Sequence, residues 1–453
     1  MLTHTARIAG LVLCFGLLFG FGISSIAGVL HELATAFDLD ASGQEWLVST
    51  LILASFFGAL FASPLSSKLG RKPTMCIAAA LAFTGYLALL FTTSYASLLL
   101  IRVVLGLSVG LSSMVVPMYA AETTPAEQRG AVVALFQLAI TGGILLAYTV
   151  ALLFVETWSW QHILAVGALP ALVAVGLLMS VPESPSWRAS REQHARNSAE
   201  HALVHTQKDT QNNKKNRTVI AKPPTKNSIA AVLGLCGGLF VLQNLSGIDG
   251  IIYYAPHIFK TLGFAPGTAS LAATFGLGLV NFLSTLVALR LVDTAGRRAL
   301  LIWGSGAMVV GMAMVIAASV FAPAESSFSA LSSGSDWAGW LGLGGLSLFI
   351  MAFAVSLGPL PYVMMSELFP TAIRETGIAV ASSISWLFNA LIAFSFLSAI
   401  EQIGLSWSMT FFMAVCVLSL IISVLFVPET RRVSLDKIES NVMRGQPLRK
   451  LGE

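Results

Sequence analysis

Gln243-Asn244-Leu245-Ser246-Gly247-Ile248-Asp249-Gly250-Ile251-Ile252-Tyr253-Tyr254 sets two amides, a carboxylate and paired phenols between two strongly apolar runs. Polar groups are costly in hydrocarbon and normally face a protein interior or a wet cavity. Gly247, Gly250 and Pro256 loosen the helical hydrogen-bond ladder where these side chains cluster. A broken helix is tolerated in a bilayer where it lines such an interior. Two readings of the stretch stay open: the lining of a binding site, or helix-to-helix contacts in which Gln243 and Asn244 bond a neighbour and Gly247 permits close packing.

Outward from this stretch, the 453 residues are 56% hydrophobic and only 11% charged, and the mean hydropathy is +0.80. That excludes a water-soluble domain and identifies a polytopic, all-α membrane protein whose first partner is the lipid bilayer. Six apolar runs, at about 8–30, 44–66, 74–93, 97–121, 130–154 and 162–181, are long enough to cross it. Six more follow a polar segment, at about 229–259, 268–292, 299–322, 339–366, 375–400 and 405–427. The first run follows Arg7 as a signal peptide would, but it outlasts an h-region and lacks a small-residue cleavage site, so it reads as a retained span. The domain reading is a six-helix bundle over 1–181, a linker over 182–228, a second bundle over 229–427 and a tail over 428–453. Within the linker, a short surface helix is expected near 188–204 and disorder over 206–226.

Twelve spans put both termini on one side. Arg7, Lys68, Arg71, Lys72, Arg129, the basic cluster of the linker, Arg290, Arg297, Arg298 and Arg374 share that side, while Glu32, Asp38, Asp40, Glu45, Glu156, Glu325, Asp336 and Glu401 lie opposite. The positive-inside rule makes the basic side, with both termini, cytoplasmic; the expected location is the cell's inner (cytoplasmic) membrane. The net charge of +4 has the same cause and does not point to nucleic acid. Cys14, Cys76, Cys236 and Cys416 fall inside apolar runs without metal spacing, so they read as small hydrophobes; no metal or organic cofactor is expected.

The halves are copies. Leu69-Gly70-Arg71-Lys72 recurs as Ala295-Gly296-Arg297-Arg298, Glu122 with Arg129 as Glu367 with Arg374, and Pro182-Glu183-Ser184 as Pro428-Glu429-Thr430. Duplicated six-span halves around a cavity are the architecture of alternating-access carriers. The recurring charges are expected to pair across helix ends as a cytoplasmic gate that rocking of the halves breaks and remakes; plain topology-setting charge is the other reading.

With these motifs, together with Pro117-Met118-Tyr119-Ala120-Ala121-Glu122, Arg129-Gly130, Gln243 through Tyr254 and Asp293 to Arg298, the chain resembles the sugar porter family of the major facilitator superfamily over nearly its whole length. The resemblance implies the major facilitator fold, a monomer, and transport of a neutral monosaccharide (hexose or pentose) by uniport or proton symport. A polyol carrier and a non-transporting sugar sensor are the alternatives. The family's sugar-contacting positions correspond to Gln137, Gln243, Asn244, Asp249, Tyr253, Asn281, Gly358 and Trp386, and amides suit hydroxyls because they both donate and accept. Several positions depart from the pattern: Asn244 replaces a glutamine, Asp249 an asparagine, Ala354 a glutamate found in facilitative glucose carriers, and Tyr362 a tryptophan. Proton-coupled members also carry a first-span aspartate opposed by a fourth-span arginine. Here Gly22 takes the aspartate's place, while Arg102 matches the arginine and either bonds nearby carbonyls or half-snorkels to the interface. Coupling is then either absent or moved to Asp249, the one carboxylate read clearly within a span. The basic motifs supply the candidate gate: Arg71, Glu122, Arg129, Glu183, Arg297, Arg298, Glu367, Arg374 and Glu429. No nucleophile, base and orienter are grouped as an enzyme needs.

Overall fold

The structure is a computed structural model that describes residues 2–189, 191–192, 226–265, 267–321, 337–370, 374–431 and 433–453. Among them every regular element is helical, since a helix satisfies its own backbone in hydrocarbon. In the first half α1 (Leu2–Ala36), α2 (Ala41–Leu69), α3 (Arg71–Leu89), α4 (Tyr95–Thr123) and α5 (Ala126–Phe154) cross once each; α6 (Trp160–Ala165) and α7 (Ala168–Ser180) share the sixth span. In the second half α8 (Lys226–Leu245) and α9 (Ile248–Thr261) share the seventh. The next are α10 (Thr268–Ala295), α11 (Arg297–Phe321), and α12 (Trp337–Val355) with α13 (Leu360–Leu368). α14 (Arg374–Leu425) is a single run of 52 residues that Gly404 breaks with φ 86° and ψ 159°. Eleven helical stretches among the described residues are long and apolar enough to cross a membrane; the break at Gly404 divides the last into two crossings, giving the twelve read from the apolar runs. The surface helix and the disorder expected in the linker lie almost wholly outside the described residues. After the last span, α15 (Leu435–Met443) buries Ile438 and Val442.

The sequence repeat is reproduced residue for residue at the basic ends of the halves. Gly70 (φ 112°) and Gly296 (φ 94°) turn the chain from one helix into the next in a conformation L side chains rarely adopt. A Cβ at either would also meet the carboxylate of Glu183 or Glu429. Those carboxylates cap the following helices: Glu183 accepts from the backbone N–H groups of Arg71 and Lys72, and Glu429 from those of Arg297 and Arg298. A helix start has unpaired N–H groups and a positive dipole end, so an anion belongs there. Arg71 then grips Glu122 through Nε (3.2 Å) and Nη2 (3.0 Å) and donates Nη1 to the Ser66 carbonyl. Arg297 likewise donates Nη1 to the Val292 carbonyl, and its Nε (3.3 Å) and Nη2 (3.0 Å) both reach Oε1 of Glu367. Ser184 and Thr430 donate hydroxyls to Glu122 and Glu367.

Each of these pairs lies inside one half, so a rigid rocking of the halves carries it along rather than breaking it. The expected breaking and remaking does not follow from this placement. Arg298 forms no described ion pair and donates to the Val424 carbonyl at 2.8 Å. The side chains of Arg129 and Arg374 lie outside what the structure describes.

The halves meet along α2 with α14, α5 with α10 and α1 with α9. Every described hydrogen bond joining them lies toward the end opposite the basic motifs, hereafter the acidic end. There the Trp46 ring meets Phe394 edge-on at 4.9 Å.

Candidate substrate-binding site

The opening stretch folds as a broken helix. α8 stops at Leu245, Gly247 takes φ 89° and ψ 2°, and α9 restarts at Ile248. A second irregularity falls at Tyr254 (φ −116°, ψ 19°), two residues before Pro256. Gly250 lies inside α9 with the Phe396 ring packed on it, so it serves packing and not the break. Pro256 has no N–H with which to pair the carbonyl one turn back, that of Ile252. The freed carbonyl accepts a hydrogen bond from the Tyr148 hydroxyl of α5 at 2.7 Å, from the other half of the molecule.

The breaks in the seventh and tenth spans adjoin. Gln243 Nε2 donates to the Gly358 carbonyl at 3.0 Å, in the segment between α12 and α13. Its Oε1 is buried and accepts nothing from the described residues. Asn244 is turned elsewhere: its Nδ2 donates to the Phe240 carbonyl and to Ser385 Oγ of α14. That is the helix-to-helix alternative, realised in full at Asn244 and through Nε2 alone at Gln243, whose Oε1 stays open.

One turn on, the Tyr253 hydroxyl donates to Asn389 Oδ1 at 2.9 Å, and the Asp249 carboxylate lies beside the same asparagine. Asn389 lies outside the set that the sequence resemblance implies. Its only signal was an amide within an apolar span, three residues past Trp386. Tyr254 donates to the Ala393 carbonyl and stacks on Phe396 at 5.6 Å, which fixes α9 on α14.

On the opposite side, α5 and α10 run antiparallel, with Tyr148 against Gly278 and Gly142 against Phe282. Gln137 and Asn281 therefore occupy nearby turns of paired helices, the first half-buried and the second 6% exposed. Trp386 packs at 5.5 Å on Phe19 of α1, an aromatic contact between halves. Tyr362 meets Phe240 edge-on at 4.8 Å. Amides from both halves and aromatic faces are chemistry suited to a polyhydroxylated, uncharged molecule.

The Sugar (and other) transporter family model matches residues 9–442. The chain belongs to that family. It is 33% identical over 450 residues to the galactose-proton symporter of Escherichia coli K12, covering 96% of this chain and 94% of that protein. It is 32% identical over 448 residues to the arabinose-proton symporter of the same strain, covering 96% and 93%. Among solved structures, the crystal structure of D-xylose-proton symporter superimposes with a TM-score of 0.75 at 28% identity, over 94% of this chain and 98% of that one. The fold is thus the major facilitator fold, and the protein is a membrane transporter, not an enzyme.

Arg102 of this transporter does not snorkel. It is 3% exposed and donates Nε to the Leu47 carbonyl, Nη2 to the Val48 carbonyl and Nη1 to the Gly22 carbonyl, at 3.0 to 3.2 Å. Backbone oxygens of α1 and α2 surround the guanidinium. A Cβ on Gly22 would lie 3.1 Å from the Tyr86 hydroxyl, so the site is filled without an acid.

Proposed function

We propose that this transporter carries a neutral monosaccharide, a hexose or pentose, across a cytoplasmic membrane by alternating access, in symport with a proton. Support comes from Gln243: a buried Oε1 without a partner beside an Nε2 held on Gly358 is an acceptor awaiting a donor, and a sugar hydroxyl supplies one. Gln137, Asn281, Tyr253 and Asp249 complete the polar lining, with Trp386 against the sugar's C–H face. The basic clusters face the cytoplasm with both termini, brace the inner ends of bundles 1–181 and 229–427, and meet when the inner side shuts. The working unit is a monomer.

Asp249 is the acid assigned to the proton. It has no described ion-pair partner, and an unpaired carboxylate within a span is readily neutralised by protonation. Passive uniport is the second reading, favoured by the carbonyls that satisfy Arg102 where coupled relatives place an acid. Uptake of labelled galactose, arabinose, xylose and glucose into proteoliposomes, with and without an inward proton gradient, separates the readings. The expected outcome is gradient-driven accumulation that Asp249→Asn converts into simple equilibration. Wild-type uptake indifferent to the gradient would leave uniport; no uptake of any of the four, with stabilisation by inositol in a thermal-shift screen, would replace the sugar by a polyol.

A further inference from the structure

Glu45 reads from sequence as one acid among several in the outward loops. It is instead 3% exposed on the first turns of α2. Both carboxylate oxygens are taken by one residue of the other half: Ser398 of α14 donates its backbone N–H to Oε1 at 2.7 Å and its hydroxyl to Oε2 at 2.6 Å. A mid-helix N–H ordinarily donates one turn back along its own helix; this one reaches a side chain 353 positions away in sequence.

No cation pairs with Glu45 among the described residues. A carboxylate withdrawn from water is costly unless donors replace its hydration, and hydrogen bonds to an ionised acceptor are roughly twice as strong as neutral ones. Ser398 presents two donors, and a carboxylate is the acceptor-only side chain able to receive both at once. The end of α2 is itself fixed within its own half: Tyr95 donates to the Gly43 carbonyl at 2.8 Å, and Arg102 holds the carbonyls at Leu47 and Val48. The acid is therefore delivered to Ser398 on a rigid support. Parting of the halves at the acidic end returns both carboxylate oxygens to water, so these bonds exist in one end-state only. A contact made in one state alone shifts the balance between states by its own free energy.

We propose that Glu45 and Ser398 form the latch that keeps the acidic end shut, and that its strength sets the ratio of the two end-states of the transport cycle. The inference rests on the alternating-access reading and assigns Glu45 a positioning role without contact with the sugar. Tyr148 on the Ile252 carbonyl and Trp46 against Phe394 are the accompanying contacts.

The test is a distance distribution by pulsed electron paramagnetic resonance. Nitroxides are placed at Phe91→Cys and Ile403→Cys, exposed positions at the acidic ends of the two halves, with Cys14, Cys76, Cys236 and Cys416 replaced. The short-distance population should dominate with Glu45 and Ser398 in place. Glu45→Ala should lower the short-to-long ratio about 10- to 100-fold, the worth of hydrogen bonds to a charged group. Glu45→Gln keeps a carbonyl for the N–H and an amide for the hydroxyl, without the charge, and should fall between; Ser398→Ala, losing the hydroxyl bond alone, should do the same. An unchanged ratio in Glu45→Ala overturns the latch, as does a lowered melting temperature with an unmoved ratio, since that is a merely structural role. If Glu45→Ala fails to fold, an unchanged ratio in Glu45→Gln overturns it. The ratio is measured without substrate, so a failure of the sugar or proton assignment in the uptake experiment leaves this result standing, and the reverse also holds.

Discussion

Removing Arg71 tests whether the basic-end clusters brace each half as their geometry implies. In Arg71→Ala, Glu122 loses both guanidinium bonds, at 3.2 and 3.0 Å, and keeps only the Ser184 hydroxyl. Breaking a fully buried pair from one side costs roughly 3–5 kcal/mol. The side chains here retain 12% and 17% exposure, so solvent screening lowers the expected loss to about 2–3 kcal/mol. For a cooperative unit the size of one bundle, each kcal/mol moves the melting temperature by about 2–4 °C, which gives a fall of roughly 4–12 °C. Thermal unfolding of the detergent-purified protein reads it directly. Arg297→Ala should fall by a similar amount, because its pair with Glu367 is 13% and 15% exposed. Arg71→Lys should recover less than half, since an ammonium cannot supply the two-pronged grip. Pairing Arg71→Ala with Glu122→Gln should cost less than Arg71→Ala alone, because no charge is then stranded. A shift under about 1 °C for either arginine, or a large loss in one half with none in the other, would refute the duplicated brace.

Two further outcomes follow from the broken seventh span. Asn389→Ala removes the acceptor of the Tyr253 hydroxyl; losing such a bond costs about 1–3 kcal/mol, so the KM for the transported sugar should rise about 5- to 100-fold in the uptake assay. Gly247→Ala forces a side chain into a left-handed conformation and places its Cβ 2.7 Å from the Phe412 ring; a loss of about 2 kcal/mol or more is expected from the conformation and the clash together, visible as a lowered melting temperature.

Much of this architecture is legible in the chain because its causes are local. Apolar run length sets the spans, and the recurring Gly-Arg motif places a helix start where a glutamate some 110 to 130 residues on returns to cap it. The break at Gly247 and the orphaned carbonyl ahead of Pro256 also follow from single residues. What was not legible depends on partners distant in sequence. Glu45 reads as an outward-loop acid because the donors that meet it belong to Ser398, 353 positions away in sequence. Asn244 and Gln243, adjacent amides, divide between a tie to Ser385 and a half-open site, and periodicity cannot say which helix face meets a neighbour. Asn389 is not legible because one amide in a span carries the same sequence signal as a helix-to-helix contact. Arg102 was read with two alternatives, and three carbonyls from two other helices decided between them.

The proline in the seventh span has a corollary. When the acidic end parts and Tyr148 withdraws, the oxygen at Ile252 has no main-chain donor that could reclaim it, since the residue that would have supplied one is Pro256. A hydroxyl or amide N–H brought to that oxygen from outside the chain would take the place Tyr148 leaves, and the acidic end could then close only by displacing it.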